Sequence, residues 1–301
     1  MNDGLFDVLI VGGGPAGLQA ALTLGRARKR VLVADGGPRR NAQAVHMHNF
    51  VSRDGMAPAD FRREARLQLA KYPNETFRDE PIDTITGLRG DIRGGTVRAR
   101  RVLLATGLID QPPEFEGLVP LWGHSVFQCP YCHGWEARER RWGYYAPDAT
   151  TVHAGPFVMQ LRGWSTEVTL FTDKLGDDMR SRLVAAKIHI ESAAVARLIG
   201  TGHHLEAVEL AGGRRVPCEA LLMHPSQQQV ELVRTLGVTL DDGFVKVDPM
   251  TRETSIPGIY AAGDLATRGQ AAILAAAAGM QAAAAINAEV TADLVTSGLL
   301  P

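Results

Sequence analysis

Residues 6–17 set the tightest constraint on the fold. The apolar run Phe6-Asp7-Val8-Leu9-Ile10-Val11 reads as a buried strand. Gly12-Gly13-Gly14-Pro15-Ala16-Gly17 follows at once, then a helical run to about Arg28. Val31 to Ala34 is a second short apolar strand, closed by Asp35. Strand, glycine loop, helix and strand make a β-α-β unit, which requires parallel strands and a right-handed crossover. In that setting each glycine of Gly12-x-Gly14-x-x-Gly17 has a use. Gly12 permits the tight turn, Gly14 lets a pyrophosphate approach the backbone, and Gly17 lets helix and strand pack closely. The helix start adds free N–H groups and a partial positive charge. Asp35, 18 residues beyond Gly17, can accept hydrogen bonds from ribose hydroxyls. A dinucleotide site is therefore expected. The competing explanation, a plain glycine-rich turn with a surface aspartate, does not account for strand, helix, second strand and acid falling in order.

A compact domain takes roughly 100–200 residues, so a chain of 301 suggests two. Apolar residues at 45% suffice for a core, and 22% charged residues argue against disorder. Lys plus Arg total 32 against 33 Asp plus Glu, so no bulk charge favours nucleic acid or an anionic membrane. The mixed-charge runs Arg62 to Arg66 and Ala137 to Arg141 lack interleaved aromatics suited to base stacking and read as solvated faces. The N-terminus has no basic n-region, and Val8 to Val11 is too short for a signal peptide. Gln270 to Ile286 is mostly alanine, which gains little from lipid, so it reads as a tightly packed soluble helix. A soluble, cytoplasmic protein with reduced thiols is expected.

Two further segments carry chemistry. Ile259 to Ala262 is a strand leading into Gly263-Asp264, which can place a carboxylate against a polyol. The helix beginning near Gln270 then points its positive end at whatever lies above, and a flavin ring that gains negative charge on reduction matches. Cys129-Pro130-Tyr131-Cys132-His133-Gly134-Trp135-Glu136 pairs two thiols at the spacing of a small disulfide ring. One thiol at a turn or helix start becomes a good nucleophile, and His133 can take and return protons near neutral pH. Zinc would need two more ligands, and only Cys218 and scattered histidines remain, so no metal is expected. Cys218 precedes an apolar strand and reads as a buried structural cysteine. His46 and His48 read as solvated loop histidines.

Gly12 to Gly17, Ala105-Thr106-Gly107 and Gly258 to Asp264 together resemble the FAD-binding motifs of the pyridine nucleotide–disulfide oxidoreductases, in the thioredoxin reductase branch. Cys-Pro-Tyr-Cys-His-Gly is similar to the branch that includes the dithiol oxidases of gliotoxin and holomycin biosynthesis, with His133 where thioredoxin reductases carry aspartate. The loops Gly36 to Asn41 and His48-Asn49-Phe50 resemble that branch too. The resemblance implies an α/β fold of two Rossmann-like three-layer nucleotide-binding domains, the second inserted into a split FAD domain. The breaker Gln111-Pro112-Pro113 and the polar turn Asp241-Asp242-Gly243 then place the FAD domain at 1–115 and 243–301, with the redox domain at 116–242. It also implies a homodimer acting on a thiol or disulfide substrate, either a thioredoxin-like protein or a small dithiol. FAD would be held by Gly12, Gly14, Pro15, Ala16, Gly17, Asp35, Asn41, Ala105, Thr106, Gly107, Gly263, Asp264, Gln270 and Ala271. Cys132 would face the flavin and form the charge-transfer thiolate, Cys129 would exchange with substrate sulfur, and His133 would act as acid–base.

NADPH is doubtful. Residues 142–173 form a weak second β-α-β candidate, yet 142–156 contains no G-x-G-x-x-G or G-x-G-x-x-A. If the strand ends at Tyr144 to Pro147, Pro147 offers no N–H and Asp148 opposes a pyrophosphate, suiting a helix N-cap instead. If Thr150 to Ala154 is the strand, a lone Gly155-Pro156 follows. The second strand, Glu167 to Thr172, ends in Asp173-Lys174 without the arginines that would hold a 2′-phosphate, and Arg180 and Arg182 read as solvated helix charges. The expected function is FAD-dependent exchange of electrons between flavin, Cys129/Cys132 and a thiol substrate. The alternatives are an NADPH-dependent thioredoxin-disulfide reductase and a non-catalytic flavin-binding sensor or scaffold.

Overall fold

The computed structural model describes residues 4–149 and 154–299. The chain forms two compact units. One comprises Met1–Ala42, Phe50–Asp110 and Gln227–Pro301, the other Gln43–Asn49 and Gln111–Ser226.

The first unit opens with β1 (Leu5–Val11), α1 (Pro15–Arg26) and β2 (Val31–Ala34). It continues through α2 (Pro58–Leu69), β3 (Glu75–Arg78), β4 (Ile85–Leu88), β5 (Asp91–Gly94) and β6 (Val97–Leu104). The sheet runs β3-β2-β1-β6-β5-β4, parallel from β3 to β6 and antiparallel beyond. Alternate β1 side chains enter different cores. Val8 and Ile10 pack toward α1, while Leu9 and Val11 join Leu32 and Leu104 on the other face. A strand buried on both faces has to be apolar at every position, which is why Val8 to Val11 shows no alternation.

β7 (Ile109–Gln111) spans the cut, and the second unit contains β8 (Val126–Phe127), α3 (Pro130–His133) and β9 (Trp142–Tyr145). Then come α4 (Ala154–Gln160), β10 (Val168–Phe171), α5 (Asp177–Ala185) and β11 (Ile188–Glu191). An antiparallel sheet of β12 (Val195–Thr201), β13 (His204–Leu210) and β14 (Arg215–Pro217) precedes β15 (Ala220–Met223). The main sheet, β11-β10-β9-β15-β8, is parallel throughout. Strand order reverses between β9 and β15, the position where open α/β sheets bind ligands.

The chain returns through β16 (Ser226–Gln228) and α6 (Glu231–Leu236) to a hairpin of β17 (Leu240–Asp241) and β18 (Phe244–Val245). β19 (Ile259–Ala261) then pairs with β6, and α7 (Ala272–Thr296) closes the fold. The return falls at Gln227, not at 243. Asp242 and Gly243, with φ of 49° and 82°, form the two-residue turn of the β17–β18 hairpin, whose geometry needs two left-handed positions. Leu232, Val233, Val238 and Val245 around it already pack with the first sheet. The outgoing cut is at Asp110, five residues before the expected 115.

Helix α7 is long and apolar enough to cross a membrane by length and composition. Its Ala282, Ala283, Ile286 and Val290 are fully buried in the core shared with α1. Its small residues permit close packing: a Cβ on Gly279 would stand 2.1 Å from the carbonyl oxygen of Ala16. At its far end Glu289 and Asp293 accept hydrogen bonds from Arg101, a fully buried β6 guanidinium.

Candidate active site

The glycine loop joins β1 to α1 within the first unit. Gly14 is the extended N-cap residue and Pro15 begins the helix, where its missing N–H costs nothing. No side chain caps this end and no acid lies in the first turn. Gly12, at φ 113°, lies so close to Ala105 that a Cβ would stand 2.3 Å from that carbonyl oxygen. Gly17 approaches the carbonyl of Gly12 in the same way, whereas nothing lies within 4 Å of a Cβ on Gly14. Turn, packing and opening therefore fall on the three glycines separately, and the open backbone fits a pyrophosphate of FAD. Asp35 follows β2 beside Gly13 and pairs with Arg39 at 3.1 Å. Ala16 packs in the α1 core. Ala105 donates to the Val11 carbonyl at 2.8 Å, and Thr106 and the left-handed Gly107 (φ 68°) follow it. Asn41 accepts from Arg62 at 3.2 Å.

A charged cluster, which the sequence reading did not single out, lies at the other end of this unit's chain. Arg40 donates to both carboxylate oxygens of Asp110, at 2.7 and 2.8 Å, and to Asp264 at 2.7 Å. Burial pushes the Asp264 carboxyl above its ordinary range, and Arg40 opposes the rise. Gln227 donates to Asp110 at 2.8 Å and exchanges hydrogen bonds with Gln270. Ala271 is the extended N-cap residue of α7, and Gly263 (φ 93°) precedes Asp264. Arg40 sits in a loop that the resemblance had marked. Asp110 and Gln227 carried no sequence signal, because nothing local distinguishes them from surface residues.

In the second unit Cys129 and Cys132 are joined as a disulfide, with Cα atoms 5.3 Å apart. The one-turn helix α3 sets this spacing. Cys129 is its extended N-cap residue, and its carbonyl accepts from the Cys132 N–H at 3.2 Å. Gly134 continues the turn where a Cβ would meet the Pro130 carbonyl and the Trp164 ring. His133 lies beside the pair, its ring stacked on Phe127 at 4.9 Å and 10°. Burial holds its pKa below the usual histidine range, Glu136 pulls it upward, and His48 pushes it down. Among the described residues its buried Nδ1 has no hydrogen-bond partner, while the backbone of Cys129 and Gly123 favours the charged ring. A neutral imidazole beside a disulfide is a proton acceptor for an incoming thiol. His46 is exposed, as read. His48 is not a free loop side chain: it is half-buried, with Nε2 3.7 Å from Glu136 Oε1. Tyr131 and Trp135 flank the pair and are 59% and 68% exposed. Cys218 is buried, its thiol pushed up to about 12. Among the described residues no group of three or more His, Cys, Asp or Glu stands as a metal site.

At the β9–β15 reversal the strand ends are occupied by aromatic groups. Tyr144 Oη lies 3.3 Å from His224 Nδ1, and the Phe157 ring is 5.3 Å from each of those two rings. The strand is Trp142–Tyr145, so the register that ends near Pro147 is the observed one; Thr150 to His153 lie outside the described residues. Asp148 pairs with Lys174 at 3.6 Å, and the helix start it was expected to cap falls on Thr150 to His153, outside the described residues.

The model of the pyridine nucleotide-disulphide oxidoreductase family matches residues 6–282. Thioredoxin reductase sirT of Leptosphaeria maculans is 30% identical over 309 residues, covering 94% of both chains. The crystal structure of HlmI shares 33% identity at a TM-score of 0.89, covering 99% of this chain and 96% of its own. That of the oxidoreductase from Agrobacterium tumefaciens shares 35% at 0.87, covering 95% of this chain and 98% of its own. The α/β fold, the glycine loop and the cysteine pair thus sit in one continuous similarity, and the chain belongs to the pyridine nucleotide-disulphide oxidoreductase family, a thioredoxin reductase-like thiol–disulfide oxidoreductase whose membership implies FAD.

Proposed function

We propose that the protein oxidises a dithiol substrate through Cys129–Cys132 and FAD, and uses NADPH weakly or not at all. The observation that carries the proposal is the disulfide with buried, proton-accepting His133 beside it. The aromatic group of Tyr144, Phe157 and His224 at the strand-order reversal supports the NADPH half. These side chains stand where a dinucleotide would need open backbone, and no glycine fingerprint follows β9. A homodimer in the cytoplasm belongs to the same proposal.

The exchange runs on the chain's own groups. A substrate thiol gives its proton to His133, and its sulfur attacks Cys129 Sγ. The Cys129–Cys132 bond breaks, and Cys132 leaves as a thiolate facing imidazolium His133. The second substrate thiol attacks the sulfur bound to Cys129, the substrate leaves as a disulfide, and Cys129 retains the second proton. The substrate loses two electrons and the cysteine pair gains them. Bound FAD supplies the two-electron acceptor that returns the pair to the disulfide. Gly12, Gly14, Gly17 and Asp35 would hold its adenosine and pyrophosphate half, and Asp264 and Gln270 its ribityl and ring half.

Anaerobic titration tests this. A dithiol should bleach the flavin and raise a long-wavelength absorption band that is lost in Cys132→Ser. Excess NADPH should bleach it slowly or not at all. Fast stoichiometric bleaching by NADPH would establish an NADPH-dependent reductase instead, and no response to dithiol would establish a non-catalytic flavin-binding protein.

A further inference from the structure

Glu136 carries one negative charge and faces two histidines. It lies three residues beyond His133 and draws that ring toward protonation. On its other side is His48, at 3.7 Å. His48 comes from Gln43–Asn49, a segment that belongs to the second unit although the residues on both sides belong to the first. Its seat is tight: Gln43 packs against left-handed Gly123 (φ 81°), where a Cβ would stand 2.9 Å from the Gln43 side chain. Gly123 also belongs to the His133 environment, since its carbonyl and that of Cys129 act on the ring. The His46 ring is 6.2 Å from His48, and Arg138 lies over Trp135 at 4.1 Å.

We propose that His48 is a positioning residue for the redox pair: it draws the Glu136 carboxylate to itself and so leaves His133 in the neutral, proton-accepting form that a thiol substrate needs. The proposal rests on the thiol–disulfide function of Cys129–Cys132. Burial already favours the neutral ring, because desolvation disfavours the charged form. Glu136 alone would undo part of that. A cation at His48 competes for the same carboxylate and adds its own repulsion to a second cation at His133.

The signs separate this from a structural role. In Glu136→Gln the midpoint of His133 protonation should fall, and in His48→Gln it should rise. The measurement is NMR titration of histidine ring carbons in the oxidised, FAD-loaded protein, with His133 assigned from His133→Asn. The acid limb of flavin bleaching by dithiothreitol should move in the same two directions. Shifts of one sign in both variants, or no shift in His48→Gln, would overturn the proposal. His48→Asn serves if His48→Gln does not fold. The NMR readout needs no substrate, so its failure is distinguishable from failure of the dithiol oxidation itself, which would leave wild-type flavin unbleached at every pH.

Discussion

Arg40 and Asp264 are 224 positions apart in the chain and meet at 2.7 Å. The guanidinium also grips Asp110 bidentately, so one cation from the loop after β2 ties β7 to the segment just after β19. Its pKa is raised by the two carboxylates against the opposing effect of burial. With the Asp110 and Asp264 side chains only 13% and 23% exposed, removing Arg40 would leave two poorly solvated acids close together. Arg40→Ala should cost the apoprotein about 2 kcal/mol at pH 7, below the range for a fully buried pair. The loss should shrink toward pH 4 as Asp264, whose carboxyl burial raises, takes up its proton. Arg40→Lys should restore only part, because an ammonium cannot donate bidentately. Urea unfolding at both pH values measures this; equal losses at both would refute an electrostatic origin.

The three cysteines should behave as two classes. Cys129 and Cys132 are oxidised together, and Cys218 is buried with its thiol pushed up to about 12. A thiolate-selective reagent needs both the anion and access. Native oxidised protein should therefore yield essentially no reactive thiol. Denaturation without reductant should expose one, and reduction followed by denaturation all three. Cys218→Ala should abolish the single thiol and leave flavin bleaching by dithiol unaltered. Rapid native labelling at Cys218 would contradict its burial.

The first β-α-β unit was legible because both its signals are local. Each strand is buried on two faces and so continuously apolar, and Gly12, Gly14 and Gly17 answer three steric demands within six residues. Cys129 to His133 was legible for the same reason, since α3 is a single turn whose residues are consecutive. Asp110, Gln227 and the partnership of His48 with Glu136 were not. Each gains its role from a residue far along the chain, and polar side chains carry no periodicity to betray the meeting. The return boundary was misplaced at Asp242-Gly243 because a hairpin turn and a domain linker share turn-forming residues. Only the packing of Leu232, Val233, Val238 and Val245 tells them apart.

Gly279 tests the contact between α1 and α7. A Cβ there would stand 2.1 Å from the Ala16 carbonyl oxygen and 3.0 Å from its Cα. Both are backbone atoms, so no side chain can rotate away, and the helices would have to separate. In an isolated helix, alanine for glycine would gain about 1 kcal/mol. Here Gly279→Ala should instead destabilise by about 2–3 kcal/mol, the range of overpacked cores. Because Ala16 belongs to the glycine loop's helix, FAD affinity should fall in parallel. Ala278→Gly, one residue away on a partly buried position, should show only the modest propensity cost. Denaturant unfolding and equilibrium dialysis with FAD separate the two outcomes.

Glu75 should give the protein a stability that falls as pH rises. It lies in β3 with both carboxylate oxygens buried and, among the described residues, without a hydrogen-bond partner, pressed against Gly25 of α1. Burial raises its pKa from 4.5 to about 8. The sign follows from proton counts. Between these two values the folded protein holds a proton on Glu75 and the unfolded chain does not, so unfolding releases a proton and stability declines with pH. The contribution is fully present below 4.5 and lost as pH climbs through 8. Glu75→Gln keeps the shape and removes the titration. It should leave stability near pH 4.5 little changed and raise it at pH 8 by about 2 kcal/mol, discounting the full shift for partial solvation. Unfolding free energies at pH 5, 6.5 and 8 should converge in the variant and slope downward in the wild type. A wild-type curve that rises over this window, with Glu75→Gln tracking it, would show that the carboxyl ionises normally in the folded state.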